Sequence, residues 1–129
     1  MINNKVKILV VEDDKFLRDL LVRKLNEEHF NLEIAIDGNE AINKINSWMP
    51  DLILLDLIIP GIDGFEVLKR IKEFPATNKI PVVILSNLGQ QEEVEKGLNL
   101  GAVDYLVKAH LTPGEIIDKI KNILEKIAV

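Results

Sequence analysis

The chain has 129 residues and a mass of 14.6 kDa, enough for one ordinary hydrophobic core, and is expected to form a single domain over residues 1–129. Hydrophobic residues make up 47% and charged residues 29%, which excludes a disordered chain; zero cysteines exclude disulfides and thiolate chemistry, and two histidines exclude a three-histidine zinc site. The 16 basic and 21 acidic residues leave net charge −5, which argues against a nucleic-acid partner; no apolar run approaches a membrane span, and the start MINNKVKILV lacks a signal-peptide core, so the expected location is the cytoplasm.

Val6–Val11 is a run rich in β-branched residues and predicts a first strand. Phe16–Leu25 carries Leu17, Leu21 and Leu25 on one helical face. Leu32, Ile34 and Ile36 alternate with Glu33 and Ala35, the pattern of an edge strand. Asp37 with Glu40 forms a capping-box pattern opening a helix marked by Ala41, Ile42 and Ile45. Leu52–Leu55 is a third strand; Asp63 with Glu66 then opens a helix marked by Val67, Leu68 and Ile71. Val82–Leu85 is a fourth strand, and Gln90–Leu100 a weaker helix, since Gly97 inside it costs about 1 kcal/mol relative to Ala. Tyr105–Val107 is a fifth strand. Thr112 with Glu115, and Pro113 at the first helical position, begin a last helix striped by Ile116, Ile117, Ile120, Ile123, Leu124 and Ile127. Strands alternating with helices predict an α/β fold with helices on both faces of a parallel sheet.

Ligands on such sheets bind beyond the carboxyl ends of the strands. Glu12-Asp13-Asp14 follows the first strand, and Asp56, Ser86 and Lys108 end the third, fourth and fifth. If strands one, three, four and five are neighbours about 4.8 Å apart, these groups face one another, and a lysine can span the roughly 10 Å of two spacings. Converging carboxylates repel, and a hard divalent cation removes the conflict; Mg²⁺ suits carboxylates, waters and a phosphate. The chemistry that uses these parts is phosphoryl transfer, with Asp56 as nucleophile, Lys108 neutralising phosphoryl charge and Ser86 offering a hydroxyl. Each residue also has a plainer role: Asp14 as a helix cap, Ser86 as a turn residue, Lys108 as a surface lysine. Asp56 is the hardest to treat so, because a carboxylate within LILLDLIIP is costly to bury without a partner. His29 and His110 read as solvated loop residues, and Trp48 as a helix-end packing residue.

Asp13-Asp14 with Glu12 beside them, Asp56, Pro60-Gly61-Ile62-Asp63-Gly64, Ser86 after VVIL, and Asp104-Tyr105-Leu106-Val107-Lys108 occur in an order that resembles the receiver domains of bacterial two-component response regulators. The resemblance covers about residues 5–127. It implies a flavodoxin-like, doubly wound sheet of five strands in the order 2-1-3-4-5 with five helices. It implies a phosphoryl group accepted on Asp56 from a sensor histidine kinase or a histidine phosphotransfer protein, with Mg²⁺ held by Asp13, Asp14, Asp56 and the backbone carbonyl of Ile58. It also implies a switch in which Tyr105 turns inward as Ser86 moves toward the phosphate; Gly89 and Gly97 are expected to keep that region soft. Output would pass to an unidentified protein target, with no nucleic-acid or membrane contact. The chain is expected to act alone and to catalyse only its own phosphorylation and dephosphorylation, not to be an enzyme with external substrates.

Three positions depart from the family pattern. Ala109 stands where a proline with a cis bond is usual, so Lys108–Ala109 is expected to be trans. Asn87 replaces a small residue after Ser86. Ile58 and Leu88, at the mouth of the path for a hydrolytic water, cannot orient it, so slow phosphate loss is expected. The alternative function is a degenerate receiver that binds protein without being phosphorylated. An aspartate-nucleophile phosphatase would need an acid where Ile58 stands, and a flavodoxin-like phosphate binder would not place Glu12-Asp13-Asp14 in its phosphate loop.

Overall fold

Short apolar runs become strands and amphipathic stretches become helices in alternation: β1 (Lys7–Val11), α1 (Lys15–Glu27), β2 (Asn31–Ala35), α2 (Gly38–Trp48), β3 (Leu52–Leu55), α3 (Gly64–Glu73), β4 (Val82–Ser86), α4 (Gln91–Asn99), β5 (Asp104–Val107) and α5 (Pro113–Ile127). A 3-10 turn, Lys108–His110, follows β5. This is a computed structural model and describes residues 6–127; residues 1–5, on which the absence of an export signal partly rests, and 128–129 lie outside the described residues. Among the described residues no helix is long and apolar enough to cross a membrane.

The strands are all parallel in the order β2-β1-β3-β4-β5, the flavodoxin-like arrangement. Alternation along each strand divides the core in two. Leu9, Val11, Ile53, Leu55, Val82, Ile84 and Tyr105 face a cluster with Ala41 and Ile45 of α2 and Val67, Leu68 and Ile71 of α3. Ile8, Val10, Leu52, Leu54, Val83, Leu85 and Leu106 face Leu21 and Leu25 of α1 and Ile116, Ile117, Ile120 and Leu124 of α5. Burial on both faces explains why β1, β3 and β4 are continuous apolar runs.

Two local details go beyond the sequence pattern. In β2, an edge strand as expected, Ala35 faces the core, while Ile34 and, just past the strand, Ile36 are 37% and 44% exposed. An edge strand lacks a neighbour on one side, so its outer residues stay uncovered. Of the three capping boxes, only Thr112–Glu115 closes in both directions, with Glu115 N donating to Thr112 Oγ1 (3.1 Å) and Thr112 N to Glu115 Oε1 (2.8 Å). Asp63 caps Glu66 N, but the Glu66 carboxylate turns to Arg70 Nε at 3.0 Å. Asp37 caps Glu40 N, while Glu40 Oε1 accepts from Ile36 N, one residue before the cap.

Candidate functional site

The parallel register aligns the polar residues that end the strands. Val11 pairs with Leu55, so Glu12 and Asp56 each stand one residue past the ends of neighbouring strands. The ladder continues there: Asp56 N donates to Val11 O at 3.1 Å and Glu12 N to Ala35 O at 3.0 Å. Both side chains are buried among the ends of continuous apolar strands. Ser86 pairs with Val107, which places Lys108 just past the end of β5. From there its Nζ crosses β4 and lies 2.8 Å from both Asp56 Oδ2 and Glu12 Oε1.

Carboxylate oxygens of Glu12, Asp13 and Asp56 come within 4.8 Å of one another. Three carboxylates face one ammonium, so the group keeps an excess of negative charge. Burial pushes the Glu12 carboxyl above its ordinary 4.5, against the Lys108 hydrogen bond, and the Asp56 charge adds to the rise. For Lys108 burial opposes the charge, but the hydrogen bonds to Asp56 and Glu12 outweigh it and hold the ammonium above its ordinary 10.5. An all-oxygen, anionic donor set of this kind fits a hard divalent cation. A groove lined by Ile42, Arg70 and Phe74 between α2 and α3 contains none of these groups.

Asp14, expected beside Asp13 as a metal ligand, is directed elsewhere: its Oδ1 accepts from Phe16 N at 3.0 Å and Leu17 N at 3.4 Å, capping α1. Glu12 takes its place among the converging carboxylates. The signal for this was in the spacing, since Glu12 and Asp56 both directly follow an apolar strand, whereas Asp14 lies two residues further on. Ile58 is held beside the site, its N–H donating to Asp56 Oδ1 at 3.2 Å, and its side chain is 56% exposed. Leu88, expected with it at the mouth, is half-buried and packs against the core. No peptide bond among the described residues is cis, so Lys108–Ala109 is trans and the chain there enters the 3-10 turn. His29 and His110 are exposed, and Trp48 packs against the core.

Ser86 and Tyr105 meet on the β4–α4 loop. Leu88 N donates to Ser86 Oγ at 3.3 Å, and the Tyr105 hydroxyl donates to Leu88 O. Tyr105 is buried, and burial together with the charges of Glu93 and Asp56 pushes its phenol up, keeping it a donor. Gly97, expected to soften this region, also has a packing role. A Cβ there would lie 2.6 Å from Ile84 Cδ1 and 3.0 Å from Tyr105 Cδ2, so the Ile84 side chain, the Tyr105 ring or α4 itself would have to shift to admit one. Sequence reasoning also missed Arg18, whose guanidinium Nη1 donates to the carbonyls of Glu12 (3.0 Å) and Asp13 (3.3 Å).

The family model for the response regulator receiver domain matches residues 8–121. The chain is 37% identical over 120 residues to the phosphate regulon transcriptional regulatory protein PhoB of Rhizobium meliloti, covering 93% of this chain and 52% of that protein. It thus spans about half the length of the curated relatives it matches, and those relatives use the unit within a longer chain. Among solved structures, the receiver domain of the Francisella response regulator 1452 is similar at TM-score 0.86 and 35% identity, over 96% of this chain and 99% of that one. The Mn²⁺-bound form of response regulator Rcp1 is similar at TM-score 0.80 and 33% identity, over 95% and 93%. With the sheet order, the polar strand ends and these matches in agreement, the chain belongs to the response regulator receiver domain family.

Proposed function

We propose that this receiver accepts a phosphoryl group on Asp56 from the phosphohistidine of a sensor histidine kinase or a histidine phosphotransfer protein, in a Mg²⁺-dependent reaction, and signals through a protein-binding surface. The observation that carries the reading is Asp56 itself: a buried carboxylate, bonded to Lys108 and within 4.8 Å of two further carboxylates. Mn²⁺ bound to Rcp1, a relative of similar structure, supports a divalent cation here.

In this reading Glu12, Asp13 and Asp56 hold the cation, with the Ile58 carbonyl as a further oxygen. When bound, Mg²⁺ supplies positive charge opposite the phosphoryl oxygens. An Asp56 oxygen attacks phosphorus as the phosphorus–nitrogen bond breaks; the histidine nitrogen keeps the bonding pair, and because the other ring nitrogen of the phosphohistidine carries a proton the ring leaves as neutral imidazole. Lys108 releases its bond to Asp56 and pairs with a phosphoryl oxygen, and the Ser86 hydroxyl donates to another. Water later attacks phosphorus, regenerating the Asp56 carboxylate and releasing inorganic phosphate. The protein turns over no external substrate. It works in the cytoplasm, alone or within a longer regulator, and hands its signal to a protein rather than to nucleic acid.

Intact-mass analysis after incubation with a small-molecule phosphodonor tests this. One phosphate should add to the wild type only when Mg²⁺ is present, and none to Asp56→Asn. A shift that survives Asp56→Asn overturns the assignment; no shift in the wild type favours the degenerate receiver.

A further inference from the structure

We propose that Arg18 is a positioning residue for the divalent-cation site, gripping the turn between β1 and α1 so that the Glu12 and Asp13 carboxylates face Asp56. This rests on the metal reading above. Glu12 is anchored by its own bonds, Oε1 to Lys108 and Oε2 to Asp14 N. Asp13 is not: among the described residues its carboxylate makes no hydrogen bond or ion pair, so the backbone from which it springs is what sets its reach toward Asp56. Arg18 holds that backbone. It sits one helical turn past the cap, its N–H donating to Asp14 O at 2.9 Å, and its side chain runs back toward the helix start. There Nη1 donates to Glu12 O at 3.0 Å and to Asp13 O at 3.3 Å, the two residues whose carboxylates converge.

The placement is unfavourable by every other measure. A cation near a helix N-terminus opposes the helix dipole. Among the described residues Arg18 has no ion pair, and its Nε is buried without a partner. A buried donor left unmade carries a desolvation penalty that a solvated arginine would escape. Holding the two carbonyls is what this geometry gains.

The two effects of removing Arg18 have opposite signs on metal affinity. Loss of a nearby positive charge tightens a divalent cation; loss of the grip loosens it. Mn²⁺ dissociation constants would be measured by electron paramagnetic resonance of the free ion, well below the unfolding midpoint of each variant. Arg18→Met should weaken Mn²⁺ binding about tenfold, as loss of an outer-shell support commonly does. Arg18→Lys keeps the charge and should lose less, about threefold. Wild-type or tighter affinity in folded Arg18→Met overturns the proposal, even if its unfolding midpoint falls. Should Arg18→Met not fold, Arg18→Lys decides, because cation–metal repulsion is unchanged there and wild-type affinity overturns the proposal. A wild type that takes up no Mn²⁺ overturns the metal reading and this inference with it.

Discussion

Around the ends of β1 and β3, Glu12, Asp56 and Lys108 are joined by ion pairs at 2.8 Å, whereas at the ends of β4 and β5 Ser86 and Tyr105 meet only through neutral hydrogen bonds to the backbone of Leu88. The two halves share one rim of the sheet but differ in what it costs to rearrange them. Breaking a buried ion pair leaves an uncompensated charge, whereas exchanging a neutral hydrogen bond costs about 1 kcal/mol. The charged half rearranges only when a new charge takes the place of a broken pair, as a phosphoryl oxygen would for Lys108 under the proposed function, whereas the neutral half can rearrange at little cost without one. In the second half, Gly97 provides the space that Tyr105 occupies.

Removing the cation from the charged half should have the largest effect. Lys108→Met leaves Glu12 and Asp56 without their shared partner and should lower stability by about 3 kcal/mol at neutral pH, measured by urea unfolding. The loss should shrink as pH falls. Burial already raises the Glu12 carboxyl, and without Lys108 it rises further. A folded-state value above the unfolded one means that the folded protein binds the proton better, so stability falls as pH rises through that window and recovers below it. A deficit independent of pH between 5 and 7 would count against the ion-pair account.

Gly97→Ala attacks the neutral half. Helix propensity favours alanine by about 1 kcal/mol, but the contacts with Ile84 and the Tyr105 ring overpack the site by about 1–3 kcal/mol. A net loss of up to about 2 kcal/mol is expected; a stabilised variant would show that α4 shifts freely. Ile58→Asn sharpens the boundary between the halves. With Leu88 packed on the core, Ile58 is the exposed apolar side chain beside Asp56, and a polar replacement that can orient water should speed phosphate loss by about tenfold. Unchanged decay, followed on Phos-tag gels, would shift attention to Asn87. The smallest effect belongs to Tyr105→Phe, which deletes only the bond to Leu88 O and should cost about 1 kcal/mol in urea unfolding. A loss near that of Lys108→Met would erase the distinction between the halves.

Much of this molecule is legible in its sequence because periodicity and strand-end chemistry are local. The apolar runs that became β1, β3 and β4, the helical stripe of Ile116, Ile120 and Leu124, and Asp56 at the end of LILLD follow from residue spacing alone. The reach of Lys108 followed from the fixed strand spacing only once the strand order was supplied by the family resemblance. Tertiary structure decided what depends on a neighbour in space. Register, not the adjacency of Asp13 and Asp14, selected Glu12, because Val11 pairs with Leu55 and leaves Glu12 opposite Asp56, while the start of α1 claims Asp14 as its cap. Gly97 read as a weak helix position until packing placed it against the Tyr105 ring. Arg18 carried no sequence signal, because its partners are backbone carbonyls, which every residue possesses and only the fold brings within reach.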